Sequence, residues 1–435
     1  MRVMISCGEP SGDLYAGALA EALRARDPGI DIFGFGGSRL AAAGGRLIGD
    51  FSGLSVTGLT EALRVLPQSL KMLRRLADAA RDLKPDVFVP IDFPDFNFRL
   101  MASLRRLGTP VVYYISPQLW AWRPARMKTM KQLVDKVLVI FPFEEPIYRD
   151  AGVPVEFVGH PLVDLTRVTQ SRDSLLREHG LDPAAPTVAL LPGSRRNELQ
   201  RIAPTMAAAL PRIQARVPGV QFVVAGAPNL HEDLFEPLVG PPEGGPYDKR
   251  GTPAGPPEGG PYDEKETGGR CDERGVGGPY ARKTDGPGAG ADVGAAFRRP
   301  VIIRGETDNV LAACDVAITA SGTATVQCAL HERPMVVVYR LSSLTYMLGK
   351  PFVKVDTYAM ANLVAGTRVV PELIQDDFTP DRVADETIAL LTDRDRYEST
   401  RRALATVRHR LGEPGASGRA ADAVLAIARR GAKSA

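Results

Sequence analysis

Two short stretches carry acidic side chains where a strand hands over to a helix. "SCGEPSGD" (Ser6–Asp13) follows an apolar run and precedes a helix-like stretch, so Glu9, Ser11 and Asp13 stand at a turn of the kind that holds ligands in α/β proteins. The turn lacks Gly-x-Gly-x-x-Gly spacing, and its two carboxylates would repel a pyrophosphate. They suit hydroxyl groups instead. "PIDFPDFNFRL" (Pro90–Leu100) closes a second apolar run and places Asp92, Asp95 and Asn97 around Pro94. A carboxylate fixed at a strand end beside a cleft can serve as a general base. That role is given to Asp92. Asp95 is read as the cap of the helix beginning near Phe96.

Two further turns suit an anion. In "LLPGSRRNEL" (Leu190–Leu199), Gly193 allows a tight turn, and amides near Ser194 and Arg195 face whatever sits there. The helix dipole and the Arg195 charge favour a phosphate or diphosphate. The same residues also fit an ordinary helix start, with Ser194 as cap and Glu198 as capping-box partner, and both readings can hold together. "TASGTATVQCAL" (Thr319–Leu330) repeats the device with Ser321, Gly322 and Thr323. Two such strand ends side by side would grip the two phosphates of a nucleotide diphosphate. A plain capped helix start is the alternative. No Walker A spacing occurs, so ATP in a P-loop is not expected.

Two other segments stay open. "SPQLWAWRPARMK" (Ser116–Lys128) holds Trp120 and Trp122 beside Arg123, Arg126 and Lys128. These are either core aromatics with a solvated basic helix, or a patch beside an anionic, partly apolar substrate. His160, in "FVGHPLVD", is either structural or a neutral imidazole that orients a hydroxyl or phosphate. No metal site and no cofactor are expected. The one Asp-x-Asp, Asp393-Arg394-Asp395, reads as surface, and Arg195 with helix N-termini would meet diphosphate charge.

Such turns must be positioned by strands. Over residues 1–165, strands are expected at Val3–Ser6, Ile32–Gly36, Val87–Ile91, Val111–Ile115, Lys136–Ile140 and Val155–Val158. Helical patterns lie between them, including Leu59–Leu83 with a break at Pro67. After a polar connector, Thr166–Ser174, a second series over 175–380 reads Thr187–Leu191, Gln221–Ala225, Val301–Arg304, Val316–Thr319 and Met335–Tyr339 as strands. Strand–helix alternation implies parallel sheets. The expected architecture is α/β: two Rossmann-like domains facing across a cleft, with a helical tail over 381–435 broken near Gly412–Gly415. Gly240–Gly294 repeats "GPPEGGPYD" and nearly lacks branched apolar residues, so it reads as a disordered insertion in a surface loop.

A chain of 435 residues is long enough for two such domains, and a net charge of +3 gives no reason to expect nucleic acid. The four cysteines are scattered, which fits a reducing compartment. The N-terminus runs straight into a strand, so no leader is expected. No run of about 18 apolar residues is present. A cytoplasmic protein is expected. Val56–Leu76, where apolar side chains mix with Arg64, Lys71, Arg74 and Arg75, reads either as a peripheral membrane contact or as a core-packed helix with a solvated basic face.

Taken in order, "GEPSGDLYAGAL", "VTGLTEAL", "PDVFVPIDFPDFN", "SPQLWAW", "FPFEEPIY", "VGHPLVD", "LLPGSRRNEL", "SGTATVQ", "PMVVVYR", "ANLVAG" and "VPELIQ" resemble the lipid-A-disaccharide synthase family, inverting glycosyltransferases of the GT-B type. The resemblance runs from about Val3 to Arg382, apart from the insertion. It implies a UDP-2,3-diacylglucosamine donor, a 2,3-diacylglucosamine 1-phosphate acceptor, and a β-1,6-linked disaccharide 1-phosphate product plus UDP. It also implies peripheral work on the cytoplasmic face of the inner membrane, and leaves a homo-oligomer open. Asp92 would be the general base, Glu9 a needed cleft carboxylate, and Arg195 a diphosphate contact. Ser321, Gly322 and Thr323 would lie along the diphosphate, and Asn362 and Gln375 match polar positions of nucleotide-side motifs. The chain departs from the pattern at Gln327, where a Glu usually holds the ribose diol, and at Pro10, which replaces a small residue. A UDP-N-acetylglucosamine 2-epimerase, or another GT-B enzyme with a soluble acceptor, is the nearest rival. A catalytically dead nucleotide-sugar binder is disfavoured by the joint presence of Glu9, Asp92 and Arg195.

Overall fold

The computed structural model describes residues 1–51, 59–122, 125–228, 230–240, 299–341 and 357–434, the side chains of 59–65, 122 and 432–434 excepted. The Gly/Pro-rich stretch lies outside them except for Gly240, as do Val56, Thr57, Gly58 and Arg123. Two parallel sheets organise the chain. The first contains β1 (Arg2–Cys7), β2 (Asp31–Gly36), β3 (Arg46–Asp50), β4 (Val87–Ile91), β5 (Val112–Tyr114), β6 (Lys136–Val139) and β7 (Val155–Phe157), in the order β3-β2-β1-β4-β5-β6-β7. The second contains β8 (Thr187–Leu191), β9 (Gln221–Gly226), β10 (Val301–Arg304), β11 (Val316–Ala320), β12 (Met335–Tyr339) and β13 (Glu372–Ile374), in the order β10-β9-β8-β11-β12-β13.

The central strands are the continuous apolar runs. β4, β8 and β11 are buried along their whole length, because helices cover both faces of a parallel sheet. Strands β3 and β13 were not expected. Both are edge strands with half-exposed residues, so neither carries the apolar run that marks a central strand.

The helix Leu59–Leu83 runs through Pro67 without the expected break. A proline removes one helix hydrogen bond. Pro67 is exposed, so water can replace that bond. The tail forms three helices, Pro380–Thr392, Arg394–Arg410 and Ala416–Ser434, with the interruption falling where the glycines predicted it. The last helix returns to the first sheet's domain. Arg26 pairs with Asp422, Gly415 N–H donates to Asp164 Oδ1 at 2.8 Å, and Arg419 Nε donates to the Val158 carbonyl at 2.8 Å.

Candidate active site

In each sheet the chain reverses its winding direction between two neighbouring strands, and ligands of doubly wound folds sit outside the carboxyl ends at that point. In the first sheet the pair is β1 and β4, with Cys7 opposite Ile91. Glu9 and Asp92 therefore emerge side by side. In the second sheet the pair is β8 and β11, with Leu191 opposite Thr319. The Ser194–Arg195 and Ser321–Thr323 turns emerge there. Glu9, Asp92 and both turns line one cleft of about 1630 Å³.

Asp92 is held in an unusual backbone. Its φ is 42°, that of Phe93 is 52°, and that of Ile115 is 59°. Non-glycine residues in this region cost on the order of 1–3 kcal/mol each and persist only where their surroundings fix them. Here the Asp92 carbonyl accepts from Asn97 Nδ2 at 2.7 Å and from Tyr113 Oη at 2.7 Å, and Asp92 N–H donates to the Ile115 carbonyl at 3.2 Å. Gly8 gives the Phe93 ring its place, since a Cβ there would lie 2.3 Å from Phe93 Cγ. The Asp92 carboxyl keeps some solvent contact at the cleft but is densely surrounded by protein. Burial pushes its pKa up to about 6 and the Glu9 charge adds to this, while the Phe93 amide and Arg195 oppose.

Arg195 reaches across the cleft from the second domain and hydrogen-bonds Glu9. It also meets Glu198 Oε1 at 3.5 Å. Burial works against its charge, and the two carboxylates more than compensate, raising its pKa. Gly193 has φ 121°, and the next helix, Arg196–Arg216, starts after Arg195 rather than after Ser194. Ser194 does not cap it. Its amide donates to Glu198 Oε2 at 3.1 Å, so Glu198 satisfies this turn. The helix Thr323–Leu330 starts after Gly322, again with no side-chain cap. Ser321 Oγ donates to the Tyr358 carbonyl at 3.2 Å. Gln327 lines the cleft, and its Nε2 donates to Asp308 Oδ1 at 3.2 Å. The same oxygen lies 3.1 Å from His331 Nε2.

Ser11, Trp120 and His160 also line the cleft. The Trp120 ring meets Phe143 edge-on, with centroids 5.3 Å apart. Burial pushes the His160 imidazole down to about 3, so it is neutral, and its Nδ1 accepts Leu162 N–H at 3.1 Å. Its other nitrogen is then the N–H donor. Sequence reasoning missed Glu144, whose carboxyl group in the cleft wall accepts Trp120 Nε1–H at 3.3 Å. An acidic residue within the apolar "FPFEEPIY" directly after β6 is the signal that could have found it.

Four expected ligand contacts are engaged elsewhere. Asp13 is buried, and its carboxylate accepts from the amides of Gly37 at 2.7 Å, Arg39 at 2.9 Å and Leu40 at 3.1 Å, capping the short helix Ser38–Ala42. Asn97 is wholly buried, joining Ser6 Oγ at 2.7 Å to the Asp92 carbonyl. Asn362 is buried as well and clips the 369–372 segment, accepting from Val369 and Val370 and donating to Glu372. Gln375 accepts Leu341 N–H at 2.6 Å and joins the ends of β12 and β13. Asp95 is no cap either. The helix Pro94–Arg105 has none, and Asp95 pairs with Arg126 at 2.6 Å. Among the described residues, no three His, Cys, Asp or Glu side chains come together as a metal site.

Two parallel α/β domains with their switch points facing one cleft, followed by a helical tail, define the GT-B fold. The solved structure of the Neisseria meningitidis UDP-GlcNAc 2-epimerase bound to UDP-GlcNAc shares it, with a TM-score of 0.60 at 11% identity over 98% of this chain and 100% of that one. A calicheamicin glycosyltransferase shares it with a TM-score of 0.55 at 14% identity, over 99% and 98% of the two chains. The model of the lipid-A-disaccharide synthetase family matches residues 3–239 and 298–427. The lipid-A-disaccharide synthase of Myxococcus xanthus is 40% identical over 98% of this chain and 97% of its own. This chain belongs to that family.

Proposed function

We propose that the protein transfers 2,3-diacylglucosamine from UDP to the 6-hydroxyl of 2,3-diacylglucosamine 1-phosphate, with inversion. The observation that supports this best is the pairing of two unlike walls in one cleft. One wall carries Asp92 and Glu9; the other carries Arg195 and two amide-bearing turns. The first suits hydroxyl groups and proton removal, the second a diphosphate.

The donor diphosphate lies along the turns at Ser194–Arg195 and Ser321–Thr323. Gln327 turns its amide nitrogen to Asp308, which leaves its carbonyl oxygen as an acceptor for ribose hydroxyls. Asp92 removes the proton of the acceptor hydroxyl. That oxygen attacks the anomeric carbon from the face opposite UDP. The new C–O bond forms as the bond to the diphosphate breaks, and UDP leaves with the electron pair. The proton stays on Asp92 until water takes it. Arg195 and the turn amides meet the charge that develops on the leaving diphosphate. His160 is too weak a base to compete and serves to orient a polar group through its N–H.

The acyl chains of both sugars need an apolar surface. On the helix Leu59–Leu83, Leu66 and Leu70 are exposed beside Lys71, Arg74 and Arg75. A groove of about 820 Å³ lies along that face, lined by Ile48, Pro67, Leu70, Lys71, Arg74 and Asp78 among others. A basic face with exposed leucines suits an anionic bilayer, which favours work at the cytoplasmic face of the inner membrane.

The deciding experiment incubates the purified protein with both diacylated sugars and follows products by mass spectrometry. The disaccharide 1-phosphate and UDP are expected in equal amounts. UDP release without disaccharide, or epimerisation of UDP-N-acetylglucosamine in its place, would reject the assignment.

A further inference from the structure

The chemistry above leaves the carboxyl of Glu144 without a task. Glu144 opens the helix Glu144–Asp150 just after β6, is 1% exposed, and lines the cleft. Oε1 accepts the Trp120 indole N–H, and among the described residues Oε2 has no hydrogen-bond partner. A buried polar atom left without a partner is unfavourable. On the wall of a ligand cleft, the bound ligand can supply that partner.

The groups around Glu144 fix which form it takes. Asp92 faces it from the end of β4, Trp120 from the helix Leu119–Trp122, and Tyr148 from its own helix. Tyr148 Oη is held by Ser116 and donates to the Pro117 carbonyl at 3.2 Å. His160, neutral, lies against the Phe141 ring, with centroids 5.2 Å apart. Burial pushes the Glu144 carboxyl up to about 8, and the Asp92 charge adds to this. The Trp120 N–H on Oε1 opposes, as do the nearby amides of Phe141 and Ile140, neither of which closes a hydrogen bond to Oε2. At neutral pH the group therefore carries an O–H. Because Oε1 already accepts, the proton sits on Oε2.

We propose that Glu144 is an acceptor-binding residue that donates its Oε2–H to an uncharged oxygen of the acceptor sugar, a hydroxyl or an acyl carbonyl. This rests on the transferase reading above. The nearby Asp92 charge makes a phosphate an unsuitable partner at this point, whereas a neutral oxygen incurs no repulsion. The bond would hold the sugar with its attacking hydroxyl at Asp92.

The test measures kcat and KM for both sugars between about pH 6 and pH 10 in the wild type, E144Q, E144A and W120F. In the wild type, kcat/KM for the acceptor should fall about tenfold per pH unit above about 8, as the donor proton is lost. E144Q keeps an N–H donor at every pH. It should lack that alkaline limb and keep its neutral rate within about threefold of wild type. E144A should raise the acceptor KM about tenfold or more, with donor KM unchanged. W120F removes a bond that favours the ionised form, so its alkaline limb should move to higher pH. A wild-type limb in E144Q, or a wild-type acceptor KM in a folded E144A, would overturn the proposal. Should E144A fail to fold by circular dichroism, the E144Q and W120F profiles decide. A wild type that makes no disaccharide would reject the functional reading as well. A wild type that turns over beside an unaltered E144Q limb would reject only the role of Glu144.

Discussion

Arg195, carried by the turn after β8, hydrogen-bonds Glu9, carried by the turn after β1, and so joins the two walls of the cleft. The pair is half-exposed, which limits its worth for stability. Its weight is electrostatic and local. Glu9 raises the pKa of Asp92, and Arg195 lowers it. A diphosphate arriving at Arg195 draws on the same guanidinium that Glu9 now holds. Under the proposed function, donor binding and the basicity of Asp92 would therefore be linked through one ion pair.

That linkage gives a signed prediction for Glu9→Gln. Removing the Glu9 charge takes away a repulsion that raises the Asp92 pKa and leaves Arg195 acting on Asp92. As the proposed base, Asp92 must be ionised to accept a proton, so activity should rise with pH through its pKa. The acid limb of kcat/KM, expected near 6 in the wild type, should move to lower pH in the variant. A pH–rate profile over the acidic range checks this. A limb that stays in place or moves upward would separate Glu9 from the titration of Asp92.

The clamp on the Asp92 backbone predicts a different phenotype for Asn97→Ala. Ser6 Oγ and the Asp92 carbonyl each lose a buried partner. Stability should fall by about 1–3 kcal/mol, the scale of buried polar groups left unpaired. With the strained turn loosened, kcat should drop while donor affinity holds. Thermal melts with calorimetry of the UDP-sugar check both. A variant with normal melting and normal kcat would show that Tyr113 alone suffices.

Asn97 also illustrates what the sequence could and could not convey. The turn residues Glu9, Asp92, Arg195 and Ser321–Thr323 were legible because each follows an apolar run that marks a buried central strand, and switch-point geometry does the rest. Asp13, Asn97 and Asn362 have the same polar character in motifs of the same kind, yet their side chains satisfy backbone groups. The difference lies in direction, which strand and helix periodicity do not encode. Glu144 was missed for the opposite reason. Its neighbours Phe141, Phe143 and Tyr148 are aromatic and carry no sign of a polar site, and only folding brings its carboxyl to the cleft wall within the field of Asp92. Edge strands β3 and β13 escaped notice because half-exposed strands lack an unbroken apolar run.

The basic face of the helix Leu59–Leu83 predicts electrostatic membrane binding. Each Lys or Arg near an anionic surface contributes about 1 kcal/mol. Replacing Lys71, Arg74 and Arg75 by Glu should weaken binding to anionic liposomes on the order of 100-fold and leave the melting temperature unchanged, since all three are exposed. Cosedimentation with anionic and neutral vesicles provides the measurement. Equal binding of wild type and variant to anionic vesicles would assign the face to solvent.

Under the proposed function, Arg195 and the N-termini of the helices Arg196–Arg216 and Thr323–Leu330 would meet the diphosphate charge without a cation. Turnover is accordingly expected to persist in excess chelator, with any loss below about twofold. Assays of chelated enzyme with and without added magnesium or manganese check this. Activity that returns only with the added cation would refute it.

Asp92 and His160 both line the cleft, but their environments push them apart. Burial raises the Asp92 carboxyl to about 6, where it is ionised at neutral pH yet still basic. Burial lowers the His160 imidazole to about 3, where it holds no useful affinity for a proton. Asp92→Asn should therefore reduce kcat by roughly 10²-fold to 10⁴-fold, the scale of general-base loss. His160→Ala should cost far less and act through orientation. UDP-sugar affinity should change little in Asp92→Asn, because the proposed diphosphate contacts lie on the opposite wall. Asparagine also tolerates the left-handed backbone at this position, so the fold should survive the exchange. The decisive comparison is kcat for the two variants side by side, with donor binding by calorimetry. Near-wild-type turnover in Asp92→Asn, or a loss of donor affinity that matches the loss of rate, would remove Asp92 from the role of base.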